Sequence, residues 1–414
     1  MLREHQRSQE QWLIAGRMLS MATRLLIATH FQERARNTII MLKPIIFRTY
    51  EKQIEFMRNR GIRVSDEREA TEALSTFSYY SLVNLNKHLY GGLDVRTFLG
   101  NPSILDLQLC HMINMSFFQI VLKGILYVET SFKTKLSYLV SSQYGVTSKD
   151  DIYDPNNNFL FRGHYDTEDS RTNGILKSLL NKQQYLQSDE QEHAYAHHFL
   201  LRNRQLPPWI FIHDVEFGLT IQWYNILREE DKNSVCAKMI WGETNDPPSN
   251  VSRKTAKRFL DDALQILREY RNTIAHGERV FPSEMRYAFS EEPLFAILRN
   301  GELTRDEYDV GIGLNDPYAC LLAITTFIHD PILMFNFLTE LQQQLDFGER
   351  IKHAIDPDGD NLDLLRIIGI PSFTMERLKN ISHDKFGDVS RYYFTLLEES
   401  ARPFAGEDFD KNLD

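Results

Sequence analysis

Residues 251–277 read VSRKTAKRFLDDALQILREYRNTIAHG, and no Gly or Pro interrupts the run from Val251 to His276. Leu260, Ala263, Leu264, Leu267, Tyr270 and Ile274 recur at spacings of three and four, the period of one helix face. Asn250 or Ser252 can cap the start, and Gly277 stands where a helix commonly ends in a left-handed residue. The stretch predicts the longest helix of the chain, with one face turned into a core. Lys254, Lys257 and Arg258, at i, i+3 and i+4, form a cationic patch near its start. Such side chains usually form a solvated face, and the same patch could guide a polyanion.

Outward from this helix the same period dominates. It recurs in 54–57, 74–83, 120–139, 210–227 and 320–341, whereas two-residue alternation is scarce. The fold class is therefore all-α. Polar breaks bearing Gly or Pro fall at 91–94, 147–158, 245–250 and 356–361, none long enough for an interdomain linker. No fixed-period repeat points to a solenoid.

The chain has 414 residues, 42% hydrophobic and 25% charged, which is ordinary globular composition and excludes a disordered or collagen-like chain. With Lys+Arg of 47 against Asp+Glu of 57, the net charge of −10 excludes a molecule coated in positive potential, so any nucleic-acid site must be a local patch. Cys110, Cys236 and Cys320 are odd in number and far apart, so neither a disulfide framework nor a CxxC site is expected, and a reducing cytoplasm fits best. Residues 12–31 are apolar enough to raise an export signal or a membrane span, but Arg17 and Arg24 interrupt them. The expectation is an amphipathic N-terminal helix for packing or dimerisation, and no membrane span.

One constellation could carry chemistry. Arg271-Asn272-Thr273-Ile274-Ala275-His276 ends the predicted helix, with an Arg and a His separated by four residues. Five helical steps turn the chain by about 140°, so the two side chains converge only if the helix stops there, or if a second subunit completes the site. A guanidinium fork suits phosphate oxygens and an imidazole exchanges protons near neutral pH, a pair fitted to phosphodiester chemistry without a metal. The plainer alternative is a His that caps the last carbonyls and an Arg that reaches a surface carboxylate such as Glu269. With 13 His in the chain, such pairs also arise by chance; Arg24/His30 and Arg377/His383 are similar.

Beyond the pair itself, the sequence resembles a known family. Arg271-Asn272-x-x-Ala275-His276 is similar to the RNxxAHH element of the Abi-like abortive-infection proteins (the AbiD and AbiF group), a branch of the HEPN superfamily marked by R-x4-6-H. Lys43-Pro44, Arg60-Gly61-Ile62 and Ser78-Tyr79-Tyr80 resemble the family's opening pattern in the same order. Ile125–Gly145 resembles its acidic helix, with Glu129 at the acidic position and Lys133 where an Arg is usual. Leu206-Pro207-Pro208-Trp209 with Phe217-Gly218, and Ile368-Gly369-Ile370-Pro371, resemble two further segments. Two departures stand out: Gly277 replaces the second His, and no Tyr lies two residues after His276.

The resemblance implies a HEPN-type helical bundle over 43–385, with an amphipathic helical extension at 1–42 and an acidic tail at 386–414. It also implies a phage-defence toxin that cleaves RNA without metal or other cofactor, leaving 2′,3′-cyclic phosphate and 5′-hydroxyl ends. His276 would exchange protons, Arg271 would stabilise phosphoryl charge, Asn272 would orient the pair, and Glu129 would position it from a neighbouring helix. Lys254, Lys257 and Arg258 would contact RNA. One motif per chain implies a homodimer, unless Arg377 and His383 supply the second half. A small non-coding RNA or a protein antitoxin would hold the toxin in check. The rival expectation is a catalytically inert RNA-binding or scaffold module. His193, His197 and His198 have metal-like spacing without the HExxH glutamate, and Asp356, Asp358 and Asp360 lack the Gly and Glu of a calcium loop, so both are set aside as metal sites.

Overall fold

The computed structural model describes residues 46–389 and 395, apart from 92–95, 149, 157, 189–195, 197, 198, 201, 203, 204, 244–246, 278, 279, 281–284, 300 and 356–362. In chain order its helices are α1 (Tyr50–Asn59), α2 (Glu67–Tyr79), α3 (Ile104–Tyr144), α4 (Thr172–Gln187), α5 (Pro208–Phe211), α6 (Phe217–Asn225) and α7 (Glu229–Trp241). There follow α8 (Arg253–Ala275), α9 (Glu291–Ile297), α10 (Arg305–Asp309), α11 (Pro317–Phe327), α12 (Pro331–Ile355), α13 (Leu364–Ile368) and α14 (Thr374–Phe386). Among the described residues there is no strand, only an isolated bridge between Arg63 and Ser103. The protein is all-α, as the periodicity requires. The expected helix at 1–42, the tail beyond 389, and the set-aside clusters at 193–198 and 356–360 lie outside the described residues, apart from isolated positions.

The helix at 253–275 forms where the sequence places it, but it is not the longest. That is α3, with 41 residues. A reciprocal capping box starts it: the Ser103 hydroxyl accepts from the Asp106 N–H at 3.2 Å, and the Asp106 carboxylate accepts from the Ser103 N–H at 2.6 Å. Its apolar residues spread around more than one face because α3 runs through the bundle and packs against α5, α7, α8, α11, α12 and α13. Gly124 marks the closest approach: a Cβ there would lie 2.6 Å from Phe337 Cε2 of α12 and 3.0 Å from Ile324 Cγ2 of α11. Among the described residues, α3 alone is long and apolar enough to cross a membrane, and half of its most apolar window is buried inside the protein. Neighbouring helices thus account for its hydropathy.

Two apolar cores share α3. A small one gathers Ile54, Met57, Ile62, Leu74, Val83 and Phe98 with Ile104 and Leu107 from the first turns of α3. The large one takes the rest of α3 and runs through α6, α7, α8, α11 and α12. Cys110, Cys236 and Cys320 are buried in it as free thiols. Three expected helices are broken, the first of them, 74–83, at Ser78, whose φ of +68° leaves the helical region. The stretch 210–227 splits into α5 and α6 around a 3₁₀ turn at Ile212–Asp214, and 320–341 splits ahead of Pro331, whose ring cannot continue a helix interior. The buried Lys385 ammonium donates to the carbonyls of Thr325, Thr326 and Ile328 at 2.8, 2.6 and 3.0 Å, satisfying the end of α11.

Candidate functional site

Helix α8 sets the site. Ser252, not Asn250, caps it, accepting the Thr255 N–H at 3.0 Å. Its predicted stripe, Leu260, Ala263, Leu264, Leu267, Tyr270 and Ile274, is buried throughout. The Tyr270 hydroxyl fixes the last turns by donating to the Asn315 carbonyl at 3.0 Å. At the far end the His276 N–H still donates to the Asn272 carbonyl, and the Gly277 N–H returns to that of Ile274. Gly277 then takes φ +68°, the left-handed turn that stops the helix.

Arg271 therefore sits on the final turn and His276 at its cap. The Arg271 guanidinium does not reach Glu269, whose carboxylate instead receives the backbone N–H groups of Arg286 and Tyr287. It reaches Glu129 of α3, with Nε 3.9 Å from Oε2, and Nη1 donates to the Asn272 side-chain oxygen at 3.3 Å. Glu129 is 6% exposed and pairs through Oε1 with Lys133 at 2.8 Å, one turn along α3. The Glu129 Oε2 atom is buried and accepts no hydrogen bond. The structure thus brings Arg271, Asn272 and Glu129 together and adds Lys133. It leaves His276 exposed, with no side-chain bond to that cluster among the described residues.

Glu129 and Lys133 line a groove of about 400 Å³ with Leu126 and the hydroxyl-bearing Thr130, Thr134 and Ser137 on α3 and, across from them, Trp209, Ile212 and His213. Helix α5 and the turn after it hold this wall, because Pro208 starts the helix while Ile210, Phe211 and Ile212 are buried. Trp209 on α5 and His213 in the 3₁₀ turn, four residues apart, are both exposed. Neither entered the expected site. The signal lay in the Pro-Pro-Trp segment and that spacing. Close by, Glu216 pairs with Lys182 at 2.6 Å; although burial would raise it, its carboxyl is held below the usual range by Lys182, with Lys133 adding to the effect.

The expected RNA-contacting trio lies in the first turns of α8, at the opposite end from Arg271. Lys257 is paired with Glu229, and Arg258 lies 3.1 Å from Asp262 and donates to Ser290 at 3.1 Å. Lys254 is exposed. It lies seventeen helical steps from Arg271, roughly 25 Å. A larger cavity of about 470 Å³ lies near this end, lined by Glu230, Asn233, Trp241 and Arg253, remote along α8 from Arg271. Arg377, the rival half-site, is engaged elsewhere: both terminal nitrogens bond the Glu307 carboxylate at 2.8 Å, and the guanidinium stacks 3.5 Å over Phe373.

An all-helical protein whose site gathers an Arg-Asn pair at a helix end, a buried Glu on a crossing helix and an exposed terminal His is the class that these observations define. Residues 72–282, which span Glu129, the Trp209 wall and the whole of α8, match the family described as Abi-like protein. The chain belongs to that family, whose name ties it to abortive infection, a phage-defence response. Comparison with curated proteins and with solved structures finds no match.

Proposed function

We propose that this Abi-like protein acts in phage defence as a metal-independent endoribonuclease of the HEPN type. The observation that carries the reading is the end of α8. Gly277 stops the helix so that a half-buried Arg271 and an exposed His276 share one terminus, with the buried Glu129 behind the guanidinium. In the reaction His276 takes the proton of a ribose 2′-hydroxyl, whose oxygen attacks phosphorus. The 5′-oxygen then leaves, taking that proton back from the imidazolium, which gives a 2′,3′-cyclic phosphate and a 5′-hydroxyl and restores the neutral imidazole. Arg271 neutralises charge on the non-bridging oxygens, and Asn272 and Glu129 set its direction. DNA, which lacks the nucleophile, is not cut.

In one chain the imidazole and the guanidinium are not joined, so the active species is a two-fold dimer in which two α8 termini face one phosphate. The same separation favours one competing reading, an inert RNA-binding or scaffold module. Substitution separates them. His276→Ala lowers cleavage of total RNA in excess chelator by about 10²–10⁴-fold while melting temperature and RNA binding persist. Cleavage undiminished in that variant excludes the assignment, and intact RNA with the wild-type protein supports the inert module.

A further inference from the structure

We propose that Trp209 is a stacking platform for one base of single-stranded RNA, held in the groove above Glu129 and Lys133; the proposal rests on the reading that this protein binds RNA. The first observation is exposure. Trp209 is 45% exposed, whereas Pro208, Ile210, Phe211 and Ile212 beside it are buried. A short, Pro-started helix anchored by its apolar neighbours thus holds a broad indole at the rim of a concave site rather than in the core. Every base has a π-face, and a base on an aromatic ring is worth about 1–3 kcal/mol.

The second observation is the groove's floor. Glu129 Oε2 lies buried without a hydrogen-bond donor, an arrangement that costs free energy and leaves an unmet acceptor beneath the groove. Lys133 Nζ lies 2.8 Å from the other oxygen, and Arg271 Nε 3.9 Å from Oε2. A ligand with an aromatic face, a donor group and a nearby anion fits this polarity, and a ribonucleotide unit carries all three. The volume of about 400 Å³ falls within the range of roughly 300–1,000 Å³ that takes small ligands. The groove and the scissile site share Glu129, so a base seated on Trp209 would fix the register of the chain passing Arg271.

The test uses the full chain in a His276→Ala background, to prevent cutting, and the fluorescence anisotropy of a labelled ten-nucleotide oligoribonucleotide. A matched oligonucleotide carries abasic sites. Adding Trp209→Ala is expected to weaken binding of the intact strand by about 5–150-fold, with Trp209→Phe within about threefold of the parent. The abasic strand binds the parent and the W209A variant alike. Melting temperatures stay unchanged, because the indole is half in solvent. Equal affinity of the W209A variant and its parent for the intact strand overturns the platform while leaving the RNA-binding reading in place. A W209A protein that changes its oligomeric state in light scattering also overturns it, by making the indole a protein contact. A parent that binds no RNA overturns both. A platform that survives in a protein whose wild type cuts nothing removes only the nuclease.

Discussion

Glu129 holds two cations from one buried carboxylate, and its two oxygens are used differently. Lys133 takes Oε1 at 2.8 Å, while Arg271 approaches Oε2 from 3.9 Å without a hydrogen bond. Lys133 is therefore the tighter partner, and Arg271 keeps donors for a phosphate. Removing the carboxylate strands a largely buried ammonium, so Glu129→Gln is expected to destabilise the fold by about 2–4 kcal/mol in urea and to abolish most cleavage. Replacing both members, Glu129→Gln with Lys133→Met, should return most of the stability and none of the activity. Recovered activity in the double variant would show that the carboxylate only neutralises Lys133. The sequence carried part of this legibly: Glu129 and Lys133 are four apart, a helical pair, and Arg271 stood in a recognisable motif. The link from Arg271 to Glu129 came only through the family resemblance and not from spacing, since 142 positions of chain separate residues that only the crossing of two helices joins. Trp209 went unread for a related reason. An aromatic after two prolines reads as packing until its exposure is known.

Helix α8 was legible almost to the residue because its two faces differ sharply. A single apolar stripe against a polar remainder fixes which side is buried, and Ser252 and Gly277 supply chemical stops. Helix α3 was legible only over its middle. Where a helix is surrounded by partners its apolar residues lose their period, and the pattern shows length poorly. In the cationic trio, Arg258 meets Asp262 at i+4, a partner that the sequence itself offered. The terminus of α8 yields its own prediction. Gly277 has φ +68° and open space around it, so an added methyl meets no neighbour and the cost is that of the backbone alone. Gly277→Ala should lower stability by about 1 kcal/mol, measured as a shifted urea midpoint with an unchanged slope. Because the left-handed turn at Gly277 directly follows His276, cleavage should fall further than stability does. A Gly277→Asn variant, whose side chain tolerates the same region, should retain more of both. Equal loss in the two variants would mean that the turn does not set the imidazole's position.

At the scale of the whole molecule, α3 joins the two cores: its first turns close the small one, its middle is clasped by α11 and α12 at Gly124, and beyond that Glu129, paired with Lys133, meets the end of α8. A site assembled this way is rigid on one side and open on the other, where His276 projects into solvent. On the proposed reading a second half-site is needed, and Arg377 could supply it only by surrendering two bonds to Glu307 and its stack on Phe373. A shared site has a quantitative consequence for mixtures. If each scissile phosphate needs Arg271 from one chain and His276 from the other, Arg271→Ala and His276→Ala proteins are each inactive as pure dimers. After equal amounts are mixed and exchanged, half of the dimers are mixed, and each mixed dimer holds one intact Arg271 and one intact His276. Whether those two can work together depends on which chain faces which. A site made in trans leaves the mixed dimers one functional pair, and activity should return to roughly a quarter of the wild-type rate when one of two equivalent arrangements cuts. A site made wholly within each chain gives no recovery at any ratio, because every chain then carries one defect. End-labelled RNA cleavage, followed as the mixing ratio is varied, reads the difference directly: a maximum at equal amounts supports the shared site, and a flat baseline removes it.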